Sequence, residues 1–441
     1  DDPEGEPRVV APRRQGVEYD VEPAGDRLLI VHNDGAEDFE LAEAPLTATS
    51  HTEWTPVIPH RQGVRILSVS AYAGHAVVSL RRDGLTGLHV MPRDPGGNLQ
   101  TGTDIAFGEP LYVVDAPGES EYETATIRVG YASLLTPDSV YDYNLTTREL
   151  TLLKRTPVLD DPRFGSYQPE NYVQERGWAT AQDGTRVPLS IVRKADVPLD
   201  GSAPALLYGY GSYEASMDPG FAVSRLSLLD RGIVYAIAHV RGGGELGRSW
   251  YEQGKKLAKK NTFTDFIACA DYLIEKGYTS PERLAARGGS AGGLLMGAVA
   301  NLAPKRFRAI HASGPFVDAL TTILNPELPL TVIEWEEWGD PLHDPEVYGY
   351  MKSYTPYENV RAADHPAILA TTSLNDTRVF YVEPAKWIAA LRHVTTNSAE
   401  RQILLKTEMV AGHGGVSGRY KSWHELAFEY AWIIGEITSD G

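Results

Sequence analysis

Three residue types in a fixed order could carry acyl transfer in this chain: Ser290, then Asp376, then His413. The serine lies in "GGSAGG", where the pattern G-x-S-x-G, Gly288 to Gly292, follows the strand-like run "RLAARGG" and precedes the apolar helical run "LLMGAVANLA". A nucleophile at such a turn sits in strained backbone, and glycines two before and two after it remove side chains that would collide with strand and helix. Its hydroxyl then stands at a helix N-terminus, where backbone N–H groups and the helix dipole favour a developing oxyanion. The plain alternative is a Gly/Ser turn; the strand-to-helix setting favours the nucleophile.

A nucleophilic serine needs a base and a group that orients the base, in the order Ser, Asp or Glu, His for this kind of turn. "PAILATTSLNDTRV" reads as a strand whose end carries Asp376, and "ILLKTEMVAGHGG" as a strand whose end carries His413. Both sit where strand C-termini hand over to loops, the edge at which α/β sheets place their sites. Asp at a strand end is also a common turn former. Of the other histidines after Ser290, His393 closes a helical run and His424 lies inside one, while only His413 has flanking glycines on a short loop after a strand.

These residues need a sheet to hold them, and the elements that would build it change character along the chain. Up to about residue 165 short β-type runs alternate with polar turns: "RLLIVHNDG" from 27, "HAVVSLRRDG" from 75 and "ATIRVGYASL" from 125. Such spacing is what propeller blades of roughly 40 to 50 residues produce; an irregular β-sandwich is the alternative. A proline-, glycine- and acid-rich stretch, "LDDPRFGSYQPENY" (159 to 172), follows. Beyond it strands and helices alternate. "APALLYGYG" and "IVYAIAHVRG" are nearly all apolar, as a sheet buried on both faces requires, and "TFTDFIACADYLIEKG" has helical spacing, opened by Thr262 with Asp265 and closed by Gly277. The expected fold is an α/β domain with a mostly parallel doubly wound sheet over 178–441, a hinge at 166–177, and an all-β domain over 1–165.

The bulk properties set limits. The chain has 441 residues, 42% hydrophobic and 23% charged, and a formal net charge of -18, which opposes binding to nucleic acid or anionic membranes and favours cationic ligands. A single cysteine, Cys269, leaves no internal disulfide and no cysteine-rich zinc site. No His pair at helical ligand spacing has a nearby carboxylate, so no metal is expected. No apolar run approaches the length of a membrane span, and the absence of a charged, apolar leader makes the expected location cytoplasmic.

The run from "RGGGELGRSW" through "KKNTFTDFIACADYLIEKG" to "ARGGSAGGLLMGAVAN" resembles the prolyl oligopeptidase family of serine peptidases. "ELPLTVIEWEEWGDP", "YTPYENV", "EPAKWIAALR" and "AGHGGVSGRY" resemble its oligopeptidase B branch more than the proline-specific one. The likeness covers nearly all of residues 172 to 441 and, more weakly, the β-rich part before them. It implies a peptidase that cleaves short peptides after Arg or Lys, without a cofactor, with a partial β-propeller over 1–165 capping an α/β-hydrolase domain over 178–441. By resemblance, Ser290 is nucleophile, His413 base and acid, and Asp376 the orienting group. In "YGYGSY", Tyr210 matches the side-chain oxyanion donor, with the backbone N–H of Ala291 as the second; core packing is the usual reading of such a tyrosine.

In "IEWEEWGD", Glu334 and Glu336 match the acidic pair that binds the basic residue before the scissile bond; a solvated acidic patch is the alternative. A buried guanidinium loses its hydration and needs a carboxylate in return. Asp218 in "SMDPGF" matches one acidic residue of the next subsite, but Gly220 replaces its acidic companion, so a preference for paired basic residues should be weaker. Arg378 in "NDTRV" stands where the proline-specific branch grips a substrate carbonyl; it could do so here or pair with a carboxylate. Other functions on the same scaffold are a prolyl or aminoacyl-releasing peptidase or an esterase; the alternative outside enzymes is a propeller binding module with a silent hydrolase domain. Seven blades need about 315 residues and this chain offers about 170, so an upstream propeller fragment of the same protein is expected as a partner.

Overall fold

The computed structural model describes residues 5–118 and 121–438. The chain forms two compact units. The first holds the chain up to Pro157 with Asp218–Phe221 and Glu245–Ser249; the second holds Val158–Met217, Ala222–Gly244 and the chain from Trp250 onward.

Among the described residues the first unit contains three four-stranded antiparallel sheets, formed in chain order over residues 19–58, 64–104 and 113–155. The runs singled out at 27, 75 and 125 are the second strands of successive sheets, Arg27–His32, His75–Arg82 and Thr126–Ala132. Alternation along the middle one shows how the sheets stack: Val78 joins a core with Leu29, Leu41 and Ile66, whereas its neighbour Val77 joins one with Leu88, Ile127 and Val129. Successive side chains of a strand point to opposite faces, so a sheet that is apolar on both faces is covered on both. This is blade stacking, and the sandwich alternative is set aside.

Two pieces of the first unit come from sequence that belongs otherwise to the second. Arg81 grips Asp218 with two parallel bonds of 2.7 and 3.0 Å. Asp38, fully buried, accepts the Arg248 N–H at 2.8 Å through one oxygen and the Gly63 N–H at 2.6 Å through the other. Such long-range carboxylate tethers leave no local pattern, so the sequence reading missed both pieces.

In the second unit eight strands make one sheet: β1 (Tyr172–Thr180), β2 (Arg186–Lys194), β3 (Ala205–Tyr208), β4 (Val234–Ala238), β5 (Leu284–Gly289), β6 (Ala309–Ser313), β7 (Ala367–Ser373) and β8 (Ile403–Glu408). Their order is β1-β2-β4-β3-β5-β6-β7-β8. All pairs from β4 to β8 are parallel, and β1 and β2 add antiparallel pairs at one side. Tyr172–Gly177, expected as hinge, is therefore already sheet, and the units part at residue 157 rather than 165. The central strands β3, β4 and β5 bury nearly every residue, which explains their unbroken apolar runs.

Helix α1 (Lys260–Glu275) starts two residues before Thr262, so Thr262 and Asp265 form no capping box. Both serve Arg241 instead. The Thr262 hydroxyl donates to the Arg241 carbonyl at 2.6 Å, and Asp265, fully buried, takes the guanidinium at 2.8 and 2.6 Å and the Arg241 N–H at 3.0 Å. A buried charge is tolerable when paired and hydrogen-bonded, and that need outranks the local capping signal. Among the described residues no helix is long and apolar enough to cross a membrane.

Candidate active site

Strand β5 runs into helix α2 (Ala291–Leu302) through a single residue, Ser290, whose backbone is held at φ +55° and ψ −117°. For a residue with a Cβ this region costs about 1–3 kcal/mol, and the surroundings impose it. The Ser290 N–H donates to the Ser313 carbonyl at 2.8 Å, and the Ser290 carbonyl accepts from Gly293 and Phe316. The flanking glycines are required by contact: a Cβ on Gly288 would stand 2.4 Å from the Gly292 carbonyl oxygen, and one on Gly292 2.8 Å from that of Gly209. Ala291 opens the helix, so its N–H has no acceptor within the helix.

Asp376 and His413 come from the loops after β7 and β8, at the same edge of the parallel sheet as the end of β5. Nδ1 of His413 lies 2.7 Å from Oδ2 of Asp376, while Oδ1 of Asp376 accepts the N–H groups of Arg378 and Val379, both at 2.9 Å. The carboxylate is buried and the imidazole is 24% exposed. A carboxylate with one oxygen fixed by two backbone donors keeps the other oxygen aimed at the histidine. Nδ1 then carries the proton, which leaves Nε2 free to act as base. Among the described residues no hydrogen bond joins Ser290 Oγ to His413; catalytic bonds of this kind commonly tighten in the substrate complex.

Ser290 and His413 line one cavity of about 390 Å³, with Tyr210, Phe316, Glu334 and Arg378 also in its walls. Tyr210 follows β3 in a glycine-flanked loop. Burial, with smaller contributions from nearby Tyr208, Glu337 and Glu334, raises its phenol to about 12, so it remains a donor at neutral pH. Arg378 is exposed in the cavity wall and, among the described residues, forms no ion pair with a carboxylate.

The acidic cluster falls on helix α3 (Thr331–Trp338), which separates its members. Glu334 reaches the cavity, where its Oε2 accepts the Tyr213 hydroxyl at 2.5 Å and the Trp338 indole N–H at 2.8 Å. Glu336, two positions on, turns to solvent: its side chain is 76% exposed and pairs with Lys256 at 3.2 Å. Residues two apart on a helix do not share a face, so the expected acidic pair is not assembled at the cavity. Glu337, three on from Glu334, is buried instead and accepts the Tyr213 N–H at 3.0 Å and the Tyr251 hydroxyl at 2.7 Å. Asp218 lies in the first unit, where its carboxylate is occupied by Arg81. Tyr213 was missed; its only sequence signal was its place in "YGYGSY" beside Tyr210.

Comparison with known proteins finds the same two-part organisation. A family model described as the prolyl oligopeptidase family matches residues 219–439, and one described as the prolyl oligopeptidase N-terminal beta-propeller domain matches residues 2–156. The chain is 43% identical over 431 residues to dipeptidyl aminopeptidase BI of Pseudoxanthomonas mexicana, across 97% of this chain and 58% of that protein. It is 45% identical over 430 residues to protease 2 of Moraxella lacunata, across 98% and 60%. The solved structure of oligopeptidase B from Leishmania major superposes with a TM-score of 0.90 at 41% identity, across 97% of this chain and 60% of that one. The chain thus spans 58–60% of the length of these relatives.

Proposed function

Because the chain belongs to the prolyl oligopeptidase family, we propose that it is the catalytic portion of a serine peptidase that hydrolyses short peptides on the C-terminal side of Arg or Lys. One observation carries the specificity: among the described residues a single carboxylate, Glu334, enters the wall of the cavity that holds Ser290 and His413. A basic side chain buried there gains a charge-assisted bond, while a neutral one leaves the carboxylate without a partner of opposite charge. The same argument disfavours a prolyl- or aminoacyl-specific peptidase and an esterase. The Asp376–His413 bond and the strained Ser290 backbone disfavour a silent hydrolase domain, since strain of this kind persists where function uses it.

In this reading Ser290 Oγ attacks the peptide carbonyl as His413 Nε2 takes the hydroxyl proton. The carbonyl oxygen, now negative, is met by the Tyr210 hydroxyl and the Ala291 N–H. His413 returns the proton to the leaving amine as the C–N bond breaks, leaving an acyl-serine. Water then repeats the cycle: His413 takes its proton, the ester bond breaks, and Ser290 regains its hydrogen. Arg378, exposed in the cavity wall, serves as a donor to a substrate carbonyl. The test is kcat/KM on matched peptide amides differing only in Arg, Pro or Ala before the scissile bond. Arg should lead by about a hundredfold or more; Pro or Ala performing equally would refute the specificity, and no hydrolysis of any would refute the peptidase.

A further inference from the structure

Beneath the loop that carries Tyr210, two ionisable side chains face each other in the interior of the second unit. Lys259 is 1% and Glu337 3% exposed, with Nζ and Oε1 3.9 Å apart, and neither lines the Ser290 cavity. Lys259 donates to the Gly211 carbonyl at 2.5 Å and to Ser212 Oγ at 2.7 Å. Glu337 accepts the N–H of Tyr213. Each of the three residues after Tyr210 is therefore bonded to one member of the pair.

The loop needs such a hold. Tyr213 and Glu214 stand at φ +61° and +57°, in the left-handed region that costs a residue with a Cβ about 1–2 kcal/mol. Gly211, at φ +76°, packs so tightly that a Cβ would stand 2.4 Å from Thr262 Cγ2. Burial works against both charges, lowering Lys259 to about 8 and raising the Glu337 carboxyl. An ion pair whose partners each lose to desolvation is weak evidence for stability and better explained by a geometric task.

We propose that Lys259 and Glu337 are positioning residues for catalysis: the pair fixes Gly211, Ser212 and Tyr213 and so holds the Tyr210 hydroxyl where the oxyanion forms, without touching substrate. This rests on Tyr210 acting as the oxyanion donor in the reading above. It assigns Glu337 a task unlike that of Glu334, although both belong to one acidic run.

The test is a double-mutant cycle in kcat on an Arg amide, with wild type, Tyr210→Phe, Lys259→Met and the double variant. In the wild type Tyr210→Phe should lower kcat by about a hundredfold, the cost typical of one lost oxyanion donor. Lys259→Met should lower kcat by about tenfold or more at little changed KM, and in that background Tyr210→Phe should cost no more than about threefold, because coupled residues are not additive. Labelling of Ser290 by a fluorophosphonate counts intact sites in each variant. Should Lys259→Met fail to accumulate, Glu337→Gln takes its place in the cycle. Additive losses, or a loss expressed in KM alone, would overturn the proposal, as would a wild type indifferent to Tyr210→Phe. A wild type that hydrolyses Arg amides but shows additivity loses only the positioning role; one that hydrolyses none loses the peptidase reading first.

Discussion

Asp376 divides its two oxygens between two tasks: one holds Nδ1 of His413 at 2.7 Å, the other is fixed by the backbone N–H groups of Arg378 and Val379. The loop thus aims the carboxylate before substrate arrives. Asp376→Asn keeps the shape but presents either an amide N–H or a weaker acceptor to the imidazole, favouring the wrong tautomer. We expect kcat to fall by about 10³- to 10⁴-fold with KM nearly unchanged, by analogy with such a change in a Ser-His-Asp triad. Steady-state kinetics on an Arg amide checks this; a drop smaller than about tenfold would mean that the dyad does not act as base.

The separation of Glu334 from Glu336 on helix α3 predicts unequal substitutions. Glu334→Gln should erase most of the Arg-over-Ala ratio in kcat/KM, about 2.7 kcal/mol if that ratio is a hundredfold. Glu336→Gln breaks only an exposed pair with Lys256, and should leave the ratio within about threefold, since surface pairs contribute little. Equal losses from both variants would contradict the geometry.

Asp218 is held by Arg81 through two bonds within the first unit. A carboxylate already bound on both oxygens has little to offer a second basic residue. Amides ending in Arg-Arg and in Ala-Arg should therefore differ by less than about threefold in kcat/KM. A preference above about tenfold for the dibasic substrate would place Asp218 in a subsite after all.

Glu383 makes stability depend on pH. It is 1% exposed, accepts the Asp318 N–H at 3.0 Å and the Thr322 hydroxyl at 2.6 Å, and burial raises its carboxyl from 4.5 to about 7. Between these values the folded chain holds a proton that the unfolded chain has released. The contribution is therefore full below pH 4.5 and lost as pH rises through 7. It amounts to about 3 kcal/mol. Thermal unfolding at pH 5 and pH 8 should show a larger loss of Tm in the wild type than in Glu383→Gln, which remains neutral throughout. Parallel pH profiles would show that Glu383 is ionised in the folded chain.

What could be read along the chain was whatever local spacing encodes. The elbow at Ser290 is legible because only glycine fits where β5, α2 and the Gly209 carbonyl crowd together. The order of Ser290, Asp376 and His413 is legible because parallel strands present their ends at one edge, and the successive sheets of the first unit are legible because the apolar runs at 27, 75 and 125 recur at an even spacing. The fate of each charged residue was not. Glu334, Glu336 and Glu337 are near neighbours in sequence, yet the turn of one helix sends them to the cavity, to solvent and to a buried lysine. Thr262 and Asp265 look like a cap and instead bind Arg241, and Asp218 looks like a subsite and instead binds Arg81. Backbone strain, turns and apolar faces are properties of a few consecutive residues, whereas the partner of a charge is chosen by what the folded chain brings within about 3 Å of it.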